Sequence, residues 1–418
     1  MHHRALPVLF FTIFLDMVGV GILIPVIPVL LADPSSPHYL LPMGTPVSTG
    51  YLLLGAMIAL YSLGQFLASP IIGQLSDKFG RKKLLMVSIA GTVIGHACFA
   101  IGVLTKSLPL LLFIRLLTGA TTGNIVVAQA AIADLTTPEN RVKNFGLIGA
   151  AFGLGFIVGP FLGGKLADPS VVSWFTAATP FWFAATLSLC NLFFVWFMFR
   201  ETNQHMKPTS HLEWGKAVKN IAHAFNADKL RPLFLTNFLF QAGFAFYMTF
   251  SNVFLFYRFG FTEGSIGNYF AYVGIWIVFT QMVVTRLMSK RFTEVVILRN
   301  SLIMVGLLLL AIFLSPDSSW LYFIIPFYAM AIGLSQANLT GLLSRSAGPA
   351  RQGEVLGINS SLAALGMTIP PLLAGPIAAL YDPSTPLLVA AMVIIASGLY
   401  FIDHIRKGRN QVSTHAEV

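Results

Sequence analysis

Gly73-Gln-Leu-Ser-Asp77-Lys78-Phe-Gly80-Arg81-Lys82-Lys83 lies between two long apolar stretches and places four cations and one acid in a short turn. Segments of about 20 apolar residues cross a bilayer as helices. A loop this basic between two crossings stays on the cytoplasmic side. The turn is too short to hold a domain, so the helices it joins are neighbours. Gly73 is read as a point of close helix contact and Gly80 as a position of positive φ. Asp77 then ends one helix and stands free to cap the N-terminus of another.

The rest of the chain agrees with a membrane. Its 418 residues are 56% hydrophobic and 10% charged, with mean hydropathy +0.77, which excludes a soluble globular chain. A net charge of +10 is also found in nucleic-acid-binding proteins, but its placement here points elsewhere. Of the 26 Lys and Arg residues, 22 fall in segments or helix ends read as cytoplasmic; Lys106, Arg115, Lys165 and Arg258 are the others. That asymmetry puts both termini in the cytoplasm. Cys98 and Cys190 lie inside apolar segments, so neither a disulfide framework nor a metal cluster is expected. The first apolar segment, 6–31, is too long for the core of a cleavable signal.

Twelve spans are expected, near 6–31, 49–73, 84–105, 108–134, 142–166, 175–199, 232–257, 265–288, 294–314, 319–344, 353–380 and 385–403. In the first, Asp16 stands about 15 Å along the helix, near the bilayer midplane. A carboxylate there costs several kcal/mol unless it is paired, solvated or protonated, which marks Asp16 as functional, with a structural hydrogen bond as the plainer alternative. Tyr61 and Gln65 follow in the second span. The third holds His96, the only one of nine histidines read within a span. The fourth carries Arg115, about 10 Å from its outer end and too deep for an ordinary anchor, then Gly119, Gly123, Asn124, Gln129 and Asp134. The first span runs outward and the fourth inward, so Asp16 and Arg115 share a depth.

The fifth span reads Gly146, Gly155, Gly159-Pro160 and Gly163-Gly164. Its glycines make a smooth face, and Pro160 frees a carbonyl and kinks the helix. Residues 201–231 form a polar interval in which Trp214, Val218, Ile221 and Phe225 recur at helical spacing, predicting an amphipathic helix on the membrane surface. The second half repeats the first. At an offset of 211, Gly146, Gly155, Pro160 and Gly164 match Gly357, Gly366, Pro371 and Gly375. Its spans carry amides and aromatics rather than buried acids: Asn237, Gln241, Phe244, Tyr247, Asn252, Trp276, Gln281, Gln336 and Asn338. The expected domains are a bundle over 1–200, a linker over 201–231 and a bundle over 232–418.

The 73–83 stretch resembles the signature loop of the major facilitator superfamily, with Gly73, Asp77, Lys78, Gly80, Arg81 and Lys82 in its defined places. The fifth span resembles that family's G-x8-G-x3-G-P-x2-G-G antiporter pattern. Asp134 and its surroundings resemble the tetracycline efflux pumps. The resemblance implies an all-α membrane protein of two pseudo-symmetric six-helix bundles working by alternating access. It implies proton-coupled efflux of small amphipathic molecules, with Asp16 and Arg115 in proton coupling and Arg81 paired to Asp134. It further implies a cytoplasmic latch between Asp77 and residues 353–357. Tyr61, Gln65, His96, Asn124, Gln129, Asn237, Gln241, Tyr247, Gln281, Gln336 and Asn338 are the candidate lining of the substrate cavity. Where those pumps carry a third-helix Asp, this chain has Gly95, so tetracycline is not implied as the substrate. No cofactor, metal or nucleic acid is expected; the partners are a small molecule, protons and the inner-membrane bilayer, with the chain a monomer. A metabolite importer of the same fold and a non-transporting or lipid-handling membrane protein are the alternatives. An enzyme is not, since no nucleophile–base pair or phosphate loop appears.

Overall fold

The structure, a computed structural model, describes residues 5–136, 141–203, 212–226, 230–346 and 348–415. Among these, every regular element is a helix: α1 (Ala5–Ala32), α2 (Val47–Phe79), α3 (Arg81–Leu104), α4 (Leu108–Thr121), α5 (Asn124–Asp134), α6 (Arg141–Ala167), α7 (Thr179–Met198), α8 (Lys216–Asn226), α9 (Arg231–Phe259), α10 (Glu263–Phe279), α11 (Thr285–Arg291), α12 (Glu294–Phe313), α13 (Ser318–Ser346), α14 (Gly348–Leu380) and α15 (Thr385–His415). Twelve stretches are long and apolar enough to cross a membrane, in the order read from the sequence. The protein is a multi-pass membrane protein.

Five details differ from the sequence reading. The basic stretch is mostly helix: α2 runs through Phe79, α3 starts at Arg81, and Gly80 alone makes the break with φ 96°. The Ser76 hydroxyl donates back to the Gly73 carbonyl at 2.7 Å within the last turns of α2. Gly73 is no tight contact, since a Cβ there would sit 3.5 Å from Val126 Cγ1. The fourth crossing is broken between α4 and α5 at Thr122-Gly123. The eighth crossing joins α10 to α11 through a π turn at Thr280–Val284, a feature frequent at functional positions. Finally, the last span extends to Ile405, so the exposed His404 joins His96 within a span.

The internal repeat governs how the helices pack. Gly155, Gly159 and Gly163 recur one turn apart on α6 and face α1, where added Cβ atoms would strike Met17, Gly21 and Ile22. On its other side, α6 meets α10: a Cβ at Gly267 would lie 2.9 Å from the Pro160 carbonyl, and Gly164 stands against Glu263. The second half does the same. Gly366 of α14 faces Phe238 and Gln241 of α9, while Gly375 and Pro371 meet Tyr51 and Gly55 of α2. Each half therefore sets one helix tightly against the other half, through backbone approach that only glycine allows. The surroundings of Gly146 lie outside the described residues. A Cβ at its repeat partner, Gly357, would meet nothing within 4 Å.

Close contacts between the halves gather away from the basic end. Asn252 of α9 donates to the Ile24 carbonyl of α1. The Tyr51 ring packs edge-on to Phe250 with centroids 5.8 Å apart. At the basic end, α8 links the halves differently. Asn220 donates to the Ser361 hydroxyl of α14 at 3.0 Å, and the Gln74 side chain exchanges hydrogen bonds with the Glu213 backbone. The expected amphipathic helix is shorter than read, since Trp214 lies in the turn before α8; Trp214 and Val218 are exposed, while Ala224 is buried.

Candidate functional site

Asp16 and Arg115 are both only 8% exposed and sit deep in the first half. They do not pair with each other. Asn124, at the start of α5 and fully buried, donates its Nδ2 to Asp16 Oδ2 at 2.6 Å. The break between α4 and α5 thus falls beside the acid. Arg115 Nε donates to the Met57 carbonyl at 3.4 Å, and its guanidinium lies 4.5 Å from the Tyr61 ring and 5.9 Å from the Phe99 ring. Among the described residues no carboxylate stands within ion-pair distance of Arg115, so aromatic faces and a carbonyl hold the cation. Tyr61 thus holds Arg115 through its ring face, one helix turn before Gln65 on α2.

His96 stands over the first span. A Cβ on Gly19 would come 3.1 Å from His96 Cε1, and Nδ1 lies 3.5 Å from the Ser188 hydroxyl of α7. Thr12 donates to Asn191 of α7 at 3.1 Å. Thr12, Asp16 and Gly19 share one face of α1, so a buried polar track runs along the helix.

The second-half candidates do not converge on one point. Asn237 donates to Asn359 at 2.6 Å, joining α9 to α14. Asn338 donates to its own helix at Leu334, and Gln281 reaches the Gly333 carbonyl at 3.4 Å. Gln281 and Gln336 are exposed, and Gln65, Gln129 and Gln241 are half-buried. Tyr247 alone belongs to a cluster. Its hydroxyl is 3.4 Å from that of Tyr269, and its ring is 5.3 Å from that of Tyr328. The Tyr328 hydroxyl and the Trp276 indole nitrogen are buried with no hydrogen-bond partner among the described residues. The sequence reading missed Tyr269 and Tyr328; aromatic hydroxyls in a half without buried acids were the available signal.

At the basic end Arg81, itself buried, bonds Asp77 at 2.6 Å and Asp134 at 3.0 Å, and its Nη1 donates to the Ser76 hydroxyl. The backbone N–H groups of Arg81 and Lys82 donate to the Glu201 carboxylate at 2.8 and 3.0 Å. An acid at a helix N-terminus offsets its unpaired donors and dipole. Asp77 is turned to Arg81, with its side chain 55% exposed. Within 353–357, where its latch partner was expected, the side chains of 353, 354 and 356 lie outside the described residues.

These motifs and this fold have relatives. A family model described as Major Facilitator Superfamily matches residues 9–371. The chain is 30% identical over 411 residues to the class C tetracycline resistance protein of Escherichia coli, covering 96% of this chain and 95% of that one. It is 29% identical over 395 residues to the quinolone resistance protein NorA of Staphylococcus aureus (strain MRSA252), covering 93% of each. The fold matches that of the human organic anion transporter MFSD10 (TETRAN) with a TM-score of 0.73, over 96% of this chain and 99% of that one, at 23% identity. The chain belongs to the major facilitator superfamily, whose members are membrane transporters of small molecules and not enzymes.

Proposed function

We propose that the protein exports small amphipathic, drug-like molecules in exchange for protons. The observation that carries this reading is Asp16: an acid near mid-membrane, buried, with one amide donor and no cation bonded to it. A deprotonated Asp16 is costly in that setting, and a protonated one avoids the cost of a bare charge. Whichever helix arrangement better solvates or pairs the carboxylate is favoured when the proton leaves. Arg115 is the cation such a rearrangement can bring closer. The relatives named for tetracycline and quinolone resistance support export as the direction.

The two bundles, 1–200 and 232–418, rock about the glycine-lined contacts, with the 201–231 linker between them on the cytoplasmic side. Both termini face the cytoplasm, as the basic segments require. The gathering of contacts away from the basic end, with open space at Gly357, supports an inward-facing state for this conformation. The Asp77 latch to residues 353–357, in the first turns of α14, then forms in the opposite state, which accounts for Asp77 turning to Arg81 here.

The test uses inverted membrane vesicles with an acid interior. Export predicts accumulation of ethidium or a quinolone inside these vesicles and its collapse on adding a protonophore. Accumulation only in right-side-out vesicles would establish import instead.

A further inference from the structure

Asn124 is fully buried, and both ends of its amide are committed. Its Oδ1 accepts the backbone N–H of Ile125 at 2.9 Å, while Nδ2 donates to Asp16 at 2.6 Å. The Ile125 N–H requires an oxygen, so it fixes which way the amide faces. A donor is thereby presented to Asp16 Oδ2, which an ionised carboxylate accepts freely and a carboxyl group accepts only where the proton is on its other oxygen. We infer that Asn124 is a positioning residue for proton coupling, so that the Asp16–Asn124 pair rather than Asp16 alone forms the proton site. This rests on the proposed role of Asp16.

The location gives the pair a mechanical consequence. Asn124 is the first residue of α5, immediately after the Thr122-Gly123 break in the fourth crossing. When Asp16 takes up a proton on Oδ2, the oxygen that faces Asn124, the new O–H needs an acceptor. Asn124 supplies one only by turning its amide over, which breaks the bond to Ile125 in the first turn of α5. Protonation therefore acts directly on the interruption of the fourth crossing. Only an O–H bond is made or lost in the step, the proton coming from one aqueous side and leaving to the other. The titratable and charged groups around this point are Tyr61 of α2, Arg115 of α4 and His96 of α3.

An exchange of the two residues tests the pair. In D16N/N124D the acid moves to α5. One of its oxygens can accept from the Ile125 N–H, and the other from the amide that replaces the carboxylate on α1. Vesicles carrying wild type, D16N, N124A and D16N/N124D are compared for uphill ethidium accumulation divided by downhill ethidium counterflow. A residue that merely holds the fold lowers both rates together and leaves the ratio alone. We expect the ratio to fall at least tenfold in D16N and in N124A, and the exchanged pair to exceed D16N at least tenfold. A wild-type ratio in N124A overturns the inference, as does an exchanged pair that catalyses counterflow but pumps no better than D16N. If N124A does not reach the membrane, N124S is read in the same way. Uphill pumping by D16N at the wild-type ratio removes the role of Asp16 itself, and this inference with it. Loss of the ratio in N124A alone, with the exchanged pair inactive in pumping, leaves proton-driven export standing and removes only the pair.

Discussion

Gly159→Ala adds one methyl group where α6 crosses α1 backbone to backbone. The new Cβ would lie 2.7 Å from Gly21 Cα and 2.8 Å from the Val18 carbonyl oxygen. Ordinary contacts of this kind begin at 3.4 Å, so α1 and α6 must part by most of an ångström. Both obstructing atoms belong to the backbone and have no rotamer to escape into. Overpacking of this sort costs about 1–3 kcal/mol. Val18 is also two residues from Asp16, so the displacement reaches the acid. Gly153→Ala is the matched control, because its Cβ would meet only Val278 Cγ2, a side-chain end, at 3.1 Å. Thermal melting of the purified protein in detergent and efflux from cells are the two assays. G159A should melt lower than both wild type and G153A and lose most of its efflux. Equal melting and equal efflux in G159A and G153A would refute the argument that α6 packs through its glycine face.

Three further outcomes are expected. Arg81→Ala releases Asp77 and Asp134 together and should cut efflux while the protein still reaches the membrane; full efflux in R81A would remove the proposed role of this network. Arg115→Lys should restore little of the uphill transport lost in R115A, because an ammonium cannot lie flat against Tyr61 while donating to the Met57 carbonyl; a lysine that pumps like wild type would show that charge alone suffices. For topology, cysteine at Lys83 should be labelled only from the cytoplasm and cysteine at Ser35 or Ser319 only from outside, and any exchange of sides contradicts the orientation. These positions are exposed, whereas the neighbouring Ser36 and Ser76 are buried and unsuited to labelling.

The crossings were legible because membrane burial writes itself into long apolar runs, and the repeat was legible because close backbone approach admits only glycine. Asp16 and Arg115 stood out for the same reason in reverse, as charges in an apolar run. Their partners did not. Asn124 is 108 positions from Asp16, and nothing local distinguishes an amide that holds an acid from one that lines a cavity. Gly123 was read as a packing glycine and is one, against Ile72 of α2, but the turn at Thr122-Gly123 between α4 and α5 leaves no mark in the sequence. Glu201 was not singled out in the sequence, because its cap on α3, 119 and 120 positions away, appears only once the chain is folded. The tyrosine cluster went unread because the hydroxyls of Tyr269 and Tyr328, the available signal, do not show in sequence that these residues meet Tyr247.

The account turns on Asp16 as the proton carrier, and Asp16→Asn in inverted vesicles tests it most directly. The amide keeps the shape of the side chain and its bond to α5 while removing the titrating proton. With an acid vesicle interior, D16N should show no uphill ethidium accumulation and no response to a protonophore, while still binding ethidium. If D16N pumps at the wild-type rate, with the same collapse on adding a protonophore, the proton is carried elsewhere, and His96 is the next group to test.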